Sequence, residues 1–243
     1  KKQATHQGYH WVYHAPAIKM VLFDYQKGRS REGPKEILKN FSGHLQTDGY
    51  NAYKIFDTEK ITLLHCMAHA RRKFEQALDN DKERADYFLS QMQKLYSIER
   101  KAREENYSPA QRYELRQAES VSVLHEIKLW LKENITCVLP KSSIGEAIAY
   151  SLARWEKLCI YANDGKLEID NNLVENAIRP VALGRKNYLF AGSHYSAQRA
   201  AMLYSLMATC KLRKVEPLAW LTKILSLIPE HMANRLYELL PAH

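Results

Sequence analysis

The residues of this chain whose types and spacing could do chemistry are two carboxylates, Asp48 and Glu175. Asp48 follows a short apolar run and precedes Gly49, and Glu175 lies in the stretch 170–180, four residues before Arg179. Carboxylates presented by different elements can hold two divalent ions about 3.5–4 Å apart, which activate the attacking and leaving oxygens of a phosphodiester. Because such ions prefer oxygen ligands, the sequence predicts a two-metal site for Mg²⁺ or Mn²⁺.

Each of these acids also has an ordinary structural interpretation. Asp-Gly is a frequent turn pair, so Asp48 taken alone is more typical of a turn. Glu175 and Arg179 have the spacing of an i,i+4 surface pair on a helix. Asp170 is a rival acid, although at its position it is expected to cap the helix. Spacing alone does not choose between Asp170 and Glu175.

The charge of the chain points to a polyanionic partner. Its 36 Lys and Arg residues exceed its 27 Asp and Glu residues, which gives a formal net charge of +9. Clustered basic residues gain free energy by releasing counterions from phosphates, so nucleic acid is the first expected partner, and a solvated basic surface is the equally good alternative. Such residues contact the backbone and carry little base specificity. The basic residues expected nearest the acids are Arg71, Arg72, Lys73, Arg179, Arg185 and Lys186.

The sequence supports a role in DNA binding better for some of these basic residues than for others. For Arg71 and Arg72, a solvated helix face is an equally good interpretation. Arg185 and Lys186 follow Gly184, and we predict that they lie in a glycine-led turn close to Glu175.

Other motifs exclude several classes of protein. Cys66 and His69 have half the spacing of a zinc site, but no second half follows, so a structural role at a strand–helix junction is predicted. The four cysteines form no CxxC pair, which favours a reducing cytoplasm. No apolar run reaches the roughly 18 residues of a membrane helix. No phosphate loop, GxSxG elbow or dinucleotide fingerprint is present, so ATP-driven, esterase and redox functions have no support.

The elements that must position the acids alternate between strand and helix in the first eighty residues. Aromatic and β-branched runs predict strands, and Asp48 would lie at the end of the third. The predicted strands cover 9–13, 18–25, 44–47 and 61–66, with a short helix opened by Gly33-Pro34 and a further helix after Cys66.

From about 83 to 162 the pattern predicts helices only, an insertion of about three. Ser108-Pro109 with Gln111 predicts one helix start, and Ser143 with Glu146 predicts a second capping box, whose helix runs through Leu158. The remaining predicted elements are the helix of Glu175, an extended pair around 188–190, a helix over 197–212 and a segment opened by Glu216-Pro217.

Three segments of the chain resemble the transposases of the insertion-sequence sixty-six family, which are bacterial DDE transposases. The segments are 45–50, 65–74 and 170–193. The resemblance implies an α/β, ribonuclease-H-like core, a mixed sheet with flanking helices, interrupted by an all-helical insertion. The corresponding parts are 1–80 and 163–212 for the catalytic core, 81–162 for the insertion and 213–243 for a C-terminal helical segment.

The same resemblance implies an activity and its residues. Asp48 would be the second acid of the triad and Glu175 the third, both catalytic and both metal-binding. The reaction would be Mg²⁺-dependent hydrolysis at the ends of an insertion sequence, followed by attack of the freed 3′-hydroxyl on target DNA. The protein would act as a homo-oligomer assembled on DNA, in the bacterial cytoplasm and associated with the nucleoid.

The first acid of the triad is not found. In the family it lies on a strand upstream of 9–13, in an Asp-Glu-Thr context that nothing before residue 9 matches, and Asp24 corresponds to a non-catalytic position. We therefore expect an N-terminally truncated fragment that is inactive by itself. One alternative is a non-enzymatic DNA-binding remnant or regulator with a broken triad. Another is a resolvase-like nuclease of the same fold, which would cleave branched DNA.

Overall fold

The computed structural model describes residues 5–241, and the chain forms two compact units. Residues 1–39 and 172–243 make up the first, which we call the terminal unit. Residues 40–171 make up the second, which we call the central unit. The division into core, insertion and C-terminal segment stays a prediction.

The terminal unit contains an antiparallel hairpin. Strand β1 (Tyr9–Ala15) pairs with β2 (Met20–Gln26) from Tyr9 opposite Gln26 to Ala15 opposite Met20. A 3₁₀ turn, Pro16–Ile18, joins them, and Lys19 closes it with a φ of 49°. Both predicted strands and the turn between them are confirmed, although β2 begins two residues later than predicted.

Within residues 5–241 the terminal unit also contains four α-helices: α1 (Glu32–Leu38), α8 (Asn172–Tyr188), α9 (His194–Leu212) and α10 (Pro217–Leu227). Two 3₁₀ helices, Ile228–Glu230 and Ala233–Leu239, follow α10. Helix α9 lies along the outer edge of β2. There Ser205 Oγ accepts a hydrogen bond of 2.8 Å from the Phe23 amide, and Thr209 Oγ1 accepts one of 3.2 Å from the Val21 amide. The two hydroxyls thus satisfy amides that a neighbouring strand would otherwise pair.

Helix α8 differs from the prediction beyond Glu175. Residues Gly184, Arg185 and Lys186 continue the helix instead of forming a turn, and no strand follows at 188–190. Two tyrosine side chains approach Gly184 closely: a Cβ there would lie 2.7 Å from the Tyr188 ring and 3.0 Å from the Tyr204 hydroxyl. These two tyrosine hydroxyls are 2.8 Å apart across it. The chain turns after the helix instead, at Leu189, whose φ is 60°.

The central unit contains the second sheet, a parallel pair. Strand β3 (Gly43–Thr47) lies beside β4 (Ile61–His65), from Gly43 opposite Ile61 to Thr47 opposite His65. Both strands were predicted within a residue. Within residues 5–241 the two sheets are separate and have two strands each. The fold class is therefore mixed α/β with small sheets.

The other elements of the central unit are helical. They are α2 (Met67–Glu75), α3 (Lys82–Glu104), α4 (Pro109–Leu115), α5 (Val121–Asn134), α6 (Ser143–Leu152) and α7 (Trp155–Cys159). A π-helical turn, Arg116–Ser120, joins α4 to α5. The helices enclose one core, in which the Phe74 and Phe88 rings stack with their centroids 3.6 Å apart.

Helix starts in this unit agree with the predicted caps to within a residue. Ser108 forms the predicted capping box with Gln111. The cap of α6 is Ser142 and not Ser143, since Ser142 Oγ accepts the Gly145 amide at 3.1 Å. Two adjacent serines have the same capping chemistry, so the sequence pattern does not distinguish them.

The predicted helix from 143 to 158 is two helices in the structure. Helix α6 ends at Leu152 and α7 begins at Trp155. Arg154 leaves the helical conformation between them, with φ −120° and ψ 1°. The apolar spacing is nearly continuous across this break, and for that reason the sequence does not reveal it.

A buried ion-pair network ties the helices of the central unit together. Arg116 is 0% exposed and Glu99 1%, and Arg116 Nε donates to Glu99 Oε1 at 2.7 Å. Arg116 Nη1 also donates to the carbonyl oxygen of Tyr161 at 2.6 Å, and Arg112 bridges Glu99 to Glu168. Burial raises the pKa of Glu99, but the charges and hydrogen bonds of Arg116 and Arg112 more than offset it and hold it below its usual value.

Replacing Arg116 with Met should destabilise the protein strongly. Removing one partner of a buried pair leaves the other charge incompletely compensated, which costs about 3–5 kcal/mol. Urea unfolding followed by circular dichroism measures the change. As a control, Lys101→Met removes a solvent-exposed pair with Glu119 and should leave the unfolding midpoint nearly unchanged. Equal urea midpoints for Arg116→Met and Lys101→Met would contradict the prediction that the buried network stabilises the protein.

Candidate functional site

The carboxyl ends of β3 and β4 meet at one edge of the sheet in the central unit. Thr47 and His65 form the last pair of the register, and Asp48 and Cys66 follow them directly. Parallel pairing makes this edge common to both strands, so residues that follow the strands are neighbours. Asp48 is half-buried there. The structure thus places Asp48 at a strand end, as predicted.

The Asp48-Gly49 turn orients the carboxylate. Asp48 Oδ1 accepts a hydrogen bond of 2.9 Å from the Tyr50 amide, and Thr47 Oγ1 accepts one of 3.3 Å from the Gly49 amide. Gly49 has a φ of +83°, which favours glycine. No hydrogen bond to Asp48 Oδ2 is found within residues 5–241. Asp48 is therefore a turn residue, and its second oxygen is available to a ligand.

Two residues that the sequence analysis did not single out lie against this turn. A Cβ placed on Gly49 would be 3.3 Å from Arg154 Nε and 3.5 Å from the Tyr150 hydroxyl oxygen. The Arg154 guanidinium stacks on the Tyr150 ring, 4.0 Å from its centroid, and Lys73 Nζ lies 5.8 Å from the same centroid. The only signal in the sequence is the i,i+4 spacing of Tyr150 and Arg154, which is too common to be informative.

The segment that leads to the helix of Glu175 is bound to the same sheet edge. The Met67 amide donates to the Ile169 carbonyl oxygen at 3.1 Å, and the Asn171 amide donates to Cys66 Sγ at 3.3 Å. Burial raises the pKa of the Cys66 thiol to about 11. The side chain is therefore a neutral thiol, whose sulfur accepts the Asn171 amide.

His69 lies in the first turn of α2 and is half-buried. Within residues 5–241, no group of three or more His, Cys, Asp or Glu side chains is placed to hold a metal ion.

Asp170, which was expected to cap the helix of Glu175, is bound to a helix of the central unit. It is 8% exposed, and its Oδ2 accepts a hydrogen bond of 2.9 Å from the Tyr96 hydroxyl on α3. Burial, together with the charge of Asp170, raises the pKa of Tyr96. Helix α8 begins two residues later, at Asn172. The Asp170 carboxylate therefore anchors the 169–171 segment to the helices of the central unit.

Glu175 lies in the first turn of α8, in the terminal unit, and is half-buried. A carboxylate in the first turn of a helix interacts favourably with the helix dipole. On the same helix Val181 is buried and Arg179 is exposed. Asp48 and Glu175 belong to different units, and their convergence on one ion stays a prediction.

The predicted basic residues are exposed on two helices. Arg71, Arg72 and Lys73 lie on α2, where Arg71 forms an ion pair of 2.8 Å with Glu75. Arg179 lies on α8 together with Arg185 and Lys186, which belong to its last turn. All six are accessible to a polyanion.

His65 is a buried titratable group beside the turn of Asp48. Burial lowers its pKa to about 4, and the charges of Lys157 and Arg154 add to this effect, while Asp57 and Asp48 oppose it. Its Nδ1 has no hydrogen-bond partner in the described part of the chain. Protonated His65 is therefore disfavoured in the folded protein.

Stability should depend on pH through His65. Between about pH 6.5 and pH 4 the unfolded chain binds a proton at His65 that the folded protein does not bind. The contribution of neutral His65 to the free energy of unfolding is therefore complete above about pH 6.5 and is lost as the pH falls towards 4. The loss amounts to about 3 kcal/mol at most. Urea unfolding at pH 7.5 and pH 4.5 should show a smaller difference for His65→Asn than for the unchanged chain. Equal differences would contradict the shifted pKa.

The described elements and this sheet edge define a mixed α/β protein in which helices predominate. The family description "Transposase IS66 family" matches residues 1–199, and "IS66 C-terminal element" matches residues 205–242. The first match includes Asp48, Glu175 and all the helices between them. The chain belongs to the IS66 transposase family.

Curated relatives from Sinorhizobium fredii support this membership. The uncharacterized protein y4hP is 35% identical over 239 residues, and y4qI is 38% identical over 233 residues. Each match covers 91% of this chain and 43% of the relative, so the chain spans less than half the length of these proteins. No solved structure matches the chain significantly. Within residues 5–241, no helix is both long and apolar enough to cross a membrane.

Proposed function

We propose that this chain is the catalytic part of a DDE transposase that cleaves DNA at the ends of a bacterial insertion sequence and joins them to target DNA. One observation carries the proposal: the transposase family match over residues 1–199 includes both Asp48 and Glu175. The net charge of +9 agrees with a DNA substrate. Assembly as a homo-oligomer on DNA and association with the nucleoid belong to the same proposal.

A ribonuclease-H-like core is part of this proposal. Such a core has a mixed sheet, and the described strands supply both kinds of pairing: the antiparallel pair β1–β2 and the parallel pair β3–β4. The helices between Lys82 and Cys159 correspond to the proposed insertion between the second and third acids.

The residues present fit Mg²⁺ or Mn²⁺ in part. Asp48 offers a carboxylate that the Tyr50 amide orients, at the end of a rigid strand, and Glu175 offers a second one from the first turn of a helix. Bound divalent ions would activate the attacking oxygen and stabilise the leaving oxygen of the phosphodiester. Because no group of three potential ligands is found in residues 5–241, we propose that a third carboxylate, not identified in this chain, completes the set.

The incomplete ligand set also favours a second candidate function. A protein with an intact scaffold and two of three acids could bind DNA without cleaving it and so act as a regulator. DNA binding is common to both candidates, whereas metal-dependent cleavage belongs only to the transposase.

DNA binding should depend on the basic last turn of α8. The double variant Arg185→Gln/Lys186→Gln should bind duplex DNA more weakly and reduce the salt slope of log K by up to about 2, since each lost phosphate contact removes about one unit. Fluorescence anisotropy between 50 and 200 mM salt measures both quantities.

The matched control for this double variant is Lys35→Gln/Lys39→Gln. It makes the same charge change on α1 and its following residue, where the lysines contact Glu32 and Glu36. If the two double variants bind DNA equally well, Arg185 and Lys186 are not DNA contacts.

Metal binding should depend on Asp48. Titration of the chain with Mn²⁺, followed by electron paramagnetic resonance of the free ion, should show binding that Asp48→Asn weakens about tenfold or more, since loss of one carboxylate removes a charged ligand. Asp24→Asn is the control, because Asp24 lies within β2 and accepts a hydrogen bond from Gln26. Equal Mn²⁺ affinity of the chain and Asp48→Asn would reject Asp48 as a ligand.

Strand cleavage tests whether the first acid of the triad is missing from this chain. With Mg²⁺ and DNA carrying the terminal repeats of the element, this chain alone should give no cleavage above background, because one ligand of the triad is lacking. Robust cleavage by the chain would refute the hypothesis that its metal-ligand set is incomplete. It would also exclude the non-enzymatic DNA-binding regulator.

A further inference from the structure

We propose that Arg154, held on the ring of Tyr150, contacts a phosphate of bound DNA beside Asp48 and positions the strand there. This rests on the proposed function and deepens it, because it assigns a DNA contact to the α6–α7 break, which carries no recognisable motif. The expected ligand is a phosphodiester of the DNA backbone.

The first argument is the position of Arg154. The break between α6 and α7 brings its side chain to the turn that follows β3, so that a Cβ on Gly49 would lie 3.3 Å from Arg154 Nε. Gly49 is the residue after Asp48, and its lack of a side chain leaves room for this approach. A group bound at the Asp48 carboxylate would therefore lie close to the guanidinium.

The second argument is that the guanidinium is already held in place. It stacks on the Tyr150 ring at 4.0 Å, and its Nη1 donates to the Tyr150 carbonyl oxygen at 3.4 Å. Stacking leaves the edge of a guanidinium free to donate, and a planar fork of N–H groups matches the oxygens of a phosphate. Ordering the side chain in advance reduces the entropy lost on binding.

The third argument is charge. Four arginines of the central unit are buried or half-buried: Arg84, Arg112, Arg116 and Arg154. The first three donate to carboxylates of the protein, namely Asp81 for Arg84, Glu99 and Glu168 for Arg112, and Glu99 for Arg116.

Arg154 forms no ion pair within residues 5–241. A half-buried cation without an ion-pair partner is partly desolvated, so an arriving anion gains more from it than from a fully hydrated one. Lys73 Nζ, 5.8 Å from the same ring, adds a second positive charge. Two basic groups at one aromatic ring favour the phosphate backbone over a single carboxylate.

The experiment is DNA binding without metal, so that it does not depend on catalysis. Fluorescence anisotropy of a duplex oligonucleotide with the 243-residue chain in EDTA should show that Arg154→Gln weakens binding about tenfold and lowers the salt slope by about one. Arg154→Lys should keep the slope, because the charge is retained, but bind more weakly than the unchanged chain, because the stacked fork is lost.

Arg103→Gln is the matched control. It makes the same charge change at an exposed residue in the last turn of α3, and it should leave affinity and slope nearly unchanged. Thermal unfolding of each variant reports its folded state. Tyr150→Leu removes the ring and should reproduce part of the Arg154→Gln loss of affinity.

Two results would overturn the inference. In the first, Arg154→Gln has the same DNA affinity and the same salt slope as Arg103→Gln. In the second, Arg154→Gln binds DNA more weakly with an unchanged salt slope, which would indicate a structural role. If the unchanged chain binds no DNA, the proposed function fails as well. If Arg154→Gln behaves as expected while Asp48→Asn leaves Mn²⁺ binding intact, the inference stands and the proposed metal chemistry fails.

Discussion

The parallel pairing of β3 with β4 is the constraint on which the candidate site depends. Parallel strands end at the same edge of a sheet. Asp48 and Cys66, which follow β3 and β4, are therefore neighbours although they are far apart in the sequence. The 169–171 segment is bound beside this edge, because the Met67 amide at the start of α2 donates to the Ile169 carbonyl oxygen and the Asn171 amide donates to Cys66 Sγ. Helix α8, which carries Glu175, begins directly after this segment, at Asn172.

The helices of the central unit support this edge through buried charge. Arg112 bridges Glu99 on α3 to Glu168, and the Glu168 carbonyl oxygen accepts a hydrogen bond of 2.9 Å from the Gln46 side chain on β3. Asp170, two residues on, is bound to Tyr96. A buried ion-pair network is costly to assemble and still more costly to break, so it holds one arrangement of these elements. The helical part of the unit thus orders the segment beside the site.

Local patterns were sufficient wherever a short stretch of chain determines its own structure. Aromatic and β-branched runs predicted the strands, and Ser108 was recognised as a cap because its hydrogen bonds with Gln111 span three residues. The errors have non-local causes. Gly184 was assigned to a turn, but its role is to admit the rings of Tyr188 and Tyr204 inside and beside a helix. The break at Arg154 is likewise invisible to periodicity, because apolar residues continue at helical spacing on both sides.

The sequence by itself determined the family, the mixed α/β class, the basic character and the position of Asp48 at a strand end, since motifs, composition and alternation are properties of the linear chain. Only the tertiary structure decided that the Asp48 carboxylate is oriented by the Tyr50 amide, that Asp170 is anchored to Tyr96, and that Arg154 lies against Gly49. Arg154 and Gly49 are more than one hundred residues apart. Contacts at that separation arise from packing of the whole central unit, and no local pattern encodes them.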